Sequence, residues 1–206
     1  MITLYGYPDA PPYRKVLWLM AEAGITYRVV PIDILKGEQN SPSFRALNPC
    51  RKVPVIDDGG FILWDSNAIS WYLADRYAPG TLVPSEPTQR ALVQQWTSWQ
   101  SADMSPALSK PWYLKFLAGI WYPPFDPRTH AEACEAAQPQ LRMLDDHLRG
   151  RSYLVNDTLS IADIACAEMV RFGAEGGIDL SPFEHVRPWF EALRARPAFL
   201  ASHGAG

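Results

Sequence analysis

Residues 48–69 read NPCRKVPVIDDGGFILWDSNAI, and the fold turns on how this stretch is understood. Its first part places Pro54 inside an apolar run of strand type, Val53 to Ile56. Proline removes a donor from a β-ladder, so inside a strand it needs a reason. Either the run is an edge strand that tolerates the gap, or the Val53–Pro54 peptide is cis. A cis bond would turn the N–H and C=O of Val53 outward, where an extended peptide ligand could pair with them. Gly59 and Gly60 make a hairpin turn, and Phe61 to Trp64 pairs back. Asp65 and Ser66 then stand where strand gives way to helix. Both are ordinary N-cap residues. The same pair also suits an α-amino acid: amides at a helix start take the carboxylate, and Asp65 takes the ammonium.

Upstream of this stretch, Ile2 to Tyr5 reads as a strand, and Gly6 to Pro12 as a turn holding three prolines. Tyr13 to Ala23 has helical spacing through Val16, Leu17, Leu19 and Met20, and Gly24 stops it. Tyr27 to Ile32 is β-rich, and a short helical patch falls around Ser41 to Leu47. A further helix follows Ser66 and runs to Tyr77. The order β-α-β, loop, β-β-α predicts a small mixed sheet flanked by helices over residues 1–78. Residues 79–87 are a linker rich in proline and glycine. From 88 to 206 the pattern is helical throughout. One helix is expected over 128–149 despite Pro139. Another is opened by the capping box Ser160 to Asp163, and a last amphipathic one spans 183–195. The predicted class is therefore α/β followed by all-α.

A chain of 206 residues with 48% hydrophobic and 20% charged residues can fill two modest domains. A formal charge of −3 gives no basic field for nucleic acid or an anionic membrane, and neither partner is expected. The opening MITLYGYP is too short and polar for a signal peptide, and no long apolar span follows. Cys50, Cys134 and Cys166 form no CxxC and no zinc pattern, which fits a reducing, cytoplasmic setting. The four histidines are scattered, so no metal site is expected.

The two segments within 48–69, ten residues apart and preceded by β-α-β, resemble the glutathione transferase family. The resemblance extends through Leu4-Tyr5-Gly6, Arg14-Lys15-Val16, Gly37-Glu38-Gln39, Asn48-Pro49, residues 52–55, residues 63–69, residues 159–163, residues 187–190 and residues 196–199. It is nearest the bacterial, theta- or delta-like branches. It implies a thioredoxin-like N-terminal domain and an all-helical C-terminal domain, cytoplasmic and paired as a homodimer. The cosubstrate would be glutathione and the second substrate a small electrophile. By the family pattern Asp65 and Ser66 would hold the γ-glutamyl end, and Val53, before a cis Pro54, would pair with the cysteinyl backbone. Gln39, Arg51 and Lys52 would face the glycine carboxylate, with Lys36 a weaker candidate. Trp112, Tyr113, Phe116 and Trp121, in an aromatic-rich run, would line an electrophile pocket between the domains.

The sequence departs from the family at the sulfur. Those branches carry a serine or cysteine just before the first helix, where this chain has Ala10 or Pro11. Neither side chain donates, and Pro11 and Pro12 lack backbone N–H groups. The amides of Ala10 and Tyr13 remain, with the phenols of Tyr7, the first candidate, and Tyr13, the second. Two functions follow. One is a transferase adding the glutathione thiolate to a hydrophobic or aromatic electrophile. The other is a glutathione-binding or structural member with little turnover. A thiol oxidoreductase using Cys50, which precedes two cations, is a third and weaker reading.

Overall fold

The structure, a computed structural model, describes residues 1–204. The first unit comprises residues up to Pro84 together with the segment from Pro197. It opens with β1 (Ile2–Gly6), α1 (Pro11–Glu22) and β2 (Tyr27–Pro31). A single 3-10 turn at Glu38–Asn40 and the short α2 (Pro42–Leu47) follow, then β3 (Val55–Asp58), β4 (Phe61–Trp64) and α3 (Ser66–Tyr77). The four strands lie in the order β2-β1-β3-β4. β1 and β2 are parallel, as a helical crossover requires, whereas β3 is antiparallel to both β1 and β4. Leu4, Ile56, Val16, Leu19, Met20, Ile69 and Leu73 fill the core between the sheet, α1 and α3. This is the expected thioredoxin-like arrangement.

The register determines what the sheet presents at one end. Tyr5 pairs with Val55, and Val55 pairs with Trp64. The turn after β1, the Val53–Pro54 peptide and the Asp65–Ser66 step therefore emerge together at one end of three neighbouring strands.

The second unit, Ser85–Arg196, is helical. Its elements are α4 (Pro87–Trp99), α5 (Ser105–Phe116), α6 (Pro127–Ala136), α7 (Gln138–Leu148), α8 (Ile161–Gly176) and α9 (Val186–Arg194), with a π-helical stretch over Gln100–Met104 between α4 and α5. α8 is buried on every side from Ile161 to Val170 and forms the axis of the unit. α5 lies against it so closely that a Cβ at Gly176 would sit 2.7 Å from the Trp112 backbone nitrogen. Asp163 ties the start of α8 into the unit. It accepts from Leu154 N at 2.8 Å, from Ser160 N at 3.0 Å, from the Ser160 hydroxyl at 2.8 Å and from the Trp189 indole at 3.3 Å.

Two expectations change. The single helix over 128–149 is two, α6 and α7, because Pro139 has no N–H to continue the ladder and instead occupies the first turn of α7. The segment from Pro197, read as part of the helical domain, forms α10 (Pro197–His203) and packs on α1 of the first unit. Phe199 meets Trp18 edge to face at 4.9 Å, and Arg14 Nη1 donates to Ser202 O at 2.8 Å.

Candidate functional site

The Val53–Pro54 bond is cis. The loop before it is held by Asn48, which is almost fully buried. The Asn48 Oδ1 accepts from Cys50 N at 2.9 Å, and its Nδ2 donates to Lys52 O at 2.8 Å. Arg51 takes a positive φ of 55° within that turn. With the loop pinned on both sides, the N–H and C=O of Val53 have no partner among the described residues. Sequence reasoning gave Asn48 no role here; an asparagine followed by proline and a polar turn is the signal that could have.

At the end of β4, Asp65 is the N-cap of α3. A single oxygen, Oδ1, accepts both Asn67 N, at 3.0 Å, and Ala68 N, at 2.9 Å. Oδ2 is left without a partner, as are the amide and hydroxyl of Ser66. Capping and ligand binding are thus compatible at this step. One carboxylate oxygen closes the helix and the other faces out, beside an N–H and an O–H able to hold a carboxylate. Asp65 has φ 74° and ψ 120°, a conformation seldom taken by residues other than glycine, and such strain gathers at ligand clamps. Lys15 of α1, also almost fully buried, donates to Asn67 Oδ1 and braces the same helix start.

Arg51 and Lys52 are exposed and without an ion pair among the described residues, free to meet a carboxylate. Lys36 is paired with Asp33 at 2.9 Å. Gln39 donates from Nε2 to Ile34 O at 3.3 Å, and its buried Oε1 has no partner.

At the turn after β1 the expected donors are occupied. Ala10 N donates to Tyr7 O at 3.1 Å, and Tyr13 N donates to Ala10 O at 2.9 Å. Pro11 and Pro12 have no N–H, so the first turn of α1 presents no free backbone donor. The Tyr13 ring lies over Gly6, where a Cβ would come within 1.8 Å of it, and only 4% of Tyr13 is exposed. Its phenol belongs to the core, and burial raises its pKa. Tyr7 is half-buried; burial first, then the carboxylates of Asp9 and Asp33, raise its pKa above the usual phenol value. Both shifts run against activating a thiol, and the two carboxylates near Tyr7 oppose a thiolate there.

In the helical unit, Trp112 stacks on Phe172 at 4.6 Å and meets Phe116 at 4.9 Å. Tyr113 stacks on Tyr122 at 5.7 Å. Trp112, Tyr113 and Phe116 thus form one cluster, whereas Trp121 is an exposed residue on the following loop. Cys50 is exposed, Cys134 half-buried and Cys166 buried. Among the described residues no group of three or more His, Cys, Asp or Glu could hold a metal, and no helix is long and apolar enough to cross a membrane.

Two family models match the chain: glutathione S-transferase, N-terminal domain, over residues 1–75, and glutathione S-transferase, C-terminal domain, over residues 113–197. The disulfide-bond oxidoreductase YfcG of Escherichia coli is 32% identical, with 96% of this chain and 92% of the relative covered. Glutathione S-transferase 3 of Zea mays is 29% identical over 96% and 91%. Among solved structures, the theta class glutathione S-transferase of Xanthomonas axonopodis pv. citri, with glutathione bound, superposes with a TM-score of 0.89 at 30% identity, covering 100% of this chain and 98% of the other.

Proposed function

Since this chain belongs to the glutathione S-transferase family, we propose that it takes glutathione as cosubstrate and adds the thiolate to an apolar or aromatic electrophile. One observation carries this reading. The unpartnered Asp65 Oδ2, Ser66 amide and Ser66 hydroxyl stand at the same sheet end as the unpartnered backbone of Val53. Asp65 would take the γ-glutamyl ammonium and Ser66 its carboxylate. Val53 would pair with the cysteinyl N–H and C=O as a short added strand. Arg51 and Lys52 would meet the glycine carboxylate, and the Gln39 Oε1 would accept an N–H beside it. The aromatic cluster of Trp112, Tyr113 and Phe116, with Trp121, would receive the electrophile.

Rate enhancement in this reading comes from positioning, with only the positive end of the α1 dipole to favour the thiolate. Glutathione titration followed by the ultraviolet thiolate band across pH tests it. A band persisting well below the ionisation of free glutathione, about pH 8.5 for an unperturbed thiol, supports the transferase. Saturable binding without that band supports the second reading, a glutathione-holding member with little turnover. The occupied amides of Ala10 and Tyr13 favour that second reading. Absence of glutathione binding overturns both.

The name of the E. coli relative, with the exposure of Cys50, motivates a third reading, disulfide reduction; Cys50→Ser should then abolish it. A homodimer in the cytoplasm accords with the family, and light scattering of the purified chain tests the dimer.

A further inference from the structure

In the proposed function the start of α3 holds both charges of the γ-glutamyl end, the ammonium at Asp65 and the α-carboxylate at Ser66. These two residues are neighbours in the chain, so the bound carboxylate lies near the carboxylate of Asp65. Like charges so placed repel, and each disfavours the ionised form of the other. The site needs a positive charge behind Ser66 as well as the two groups that Ser66 offers. None stands on the first turn of α3, Ser66 to Ile69. Arg51 and Lys52 belong to the loop before β3 and, in this reading, to the glycine end.

Lys15 of α1 brings such a charge. Only 4% of it is exposed. It stands one turn before Leu19, which is fully buried, so its stem runs along the inner face of the helix. The ammonium reaches Asn67 Oδ1. Asn67 follows Ser66 directly, and its amide is one of the two donors that Asp65 Oδ1 accepts, at 3.0 Å. Lys15 is therefore fixed to the residue next to Ser66, on the helix turn whose open amide would take the carboxylate. A cation buried to this degree is little screened by water and salt, and its field carries past the residue it bonds. Burying it costs free energy that a methionine of similar length would not incur. An α-carboxylate at Ser66 offsets part of that cost when it binds.

We propose that Lys15 is a specificity-determining residue of this subsite. Its charge balances that of Asp65, so the pair matches a zwitterionic α-amino acid end and not an amine or a carboxylate alone. The substrate class is then a γ-glutamyl peptide with a free α-carboxylate. Lys15 acts on it through its field and by positioning Asn67. This role rests on the glutathione reading of the site.

The test uses the full chain and two tripeptides, glutathione and 4-aminobutanoyl-cysteinyl-glycine, which keeps the ammonium and lacks the α-carboxylate. Calorimetry should give wild type an affinity for glutathione at least about tenfold the higher of the two, the scale of one charge-assisted contact. Lys15→Gln keeps a donor for Asn67 and drops the charge. Lys15→Met drops both and suits a buried position. In each variant the preference should fall at least about fivefold, as loss of a coupled charge requires, while the analogue binds within about threefold of wild type. An unchanged melting curve checks that the variants fold. Equal affinity of wild type for the two tripeptides overturns the proposal without any variant. So does equal weakening of both tripeptides by the substitutions, the outcome of a merely structural brace. A preference lost in Lys15→Met and kept in Lys15→Gln overturns it too, since the hydrogen bond and not the charge would then be at work. In all three cases glutathione still binds and the glutathione reading stands. Binding of neither tripeptide overturns that reading and this role together.

Discussion

Gly6 has no room for a side chain. A methyl there would meet the Tyr13 ring at 1.8 Å, a contact no rotamer of Gly6 relieves because the backbone itself directs it. Gly6→Ala should displace Tyr13 and cost about 1–3 kcal/mol, read as a lower urea midpoint, in line with overpacking of a filled core. At Asp65 the two oxygens have separable tasks. Asp65→Asn keeps an oxygen to cap α3 and tolerates positive φ, yet removes the charge. Stability should change little, while glutathione binding measured by calorimetry weakens about tenfold, the scale of one charge-assisted contact. For Tyr7, whose pKa is raised by burial and then by the charges of Asp9 and Asp33, Tyr7→Phe should leave kcat/KM within about twofold; a large loss would identify it as the sulfur's donor. The cap at Asp65 and the cis bond after Val53 were legible in the sequence because both are set by neighbours in the chain. Tyr13 was not. Its burial depends on Gly6 seven positions earlier closing over it, and the occupancy of the Ala10 and Tyr13 amides depends on how the proline turn folds back.

Two carboxylates at element ends respond to pH with opposite sign. Asp58, at the end of β3, accepts from Tyr77 at 2.6 Å and Tyr72 at 2.7 Å, with Arg76 beside it. These hydrogen bonds hold its pKa below the usual carboxylate value and push that of Tyr72 up to about 12, where burial is the larger cause. The Asp58 contribution is present above the unfolded value, about 3.9, and is lost as pH falls through the lower folded one. Asp58→Asn should therefore be destabilised at neutral pH by about 2 kcal/mol, with the gap to wild type narrowing in acid. Asp163 is the reverse case. Burial lifts its pKa to about 6 against the pull of its four donors. The folded state keeps a proton that the unfolded state releases, so its contribution declines as pH rises from about 4 to about 6 and then levels off. Urea midpoints of Asp163→Asn should lack that decline. The capping box at Ser160 was readable from its spacing. The break between α6 and α7 was masked because apolar residues keep helical spacing across Pro139, and periodicity does not register a missing N–H.

Across the molecule, the first unit is assembled from two distant stretches of chain, joined by contacts such as Arg14 to Ser202, 188 residues apart. α10 covers Trp18, which is fully buried, and Phe199 supplies the cover. Phe199→Ala should cost about 3 kcal/mol, the scale of aromatic truncation in a core, visible as a lower thermal midpoint. The boundary at Pro197 was not legible, since nothing within residues 183–199 distinguishes a helix that stays with its neighbours from one that crosses back; the partner surface on α1 decides it. The all-helical second unit was legible, because local composition and helical spacing state it.

The split also sets an order of events during synthesis. The sheet and α1 emerge from the ribosome first, yet the face of α1 that receives α10 stays bare until all of Ser85–Arg196 has been made. The helical unit can close on itself during that interval. The first-made half waits with Trp18 uncovered, a window in which a chaperone, or another nascent chain, would find an apolar surface that the finished molecule never shows.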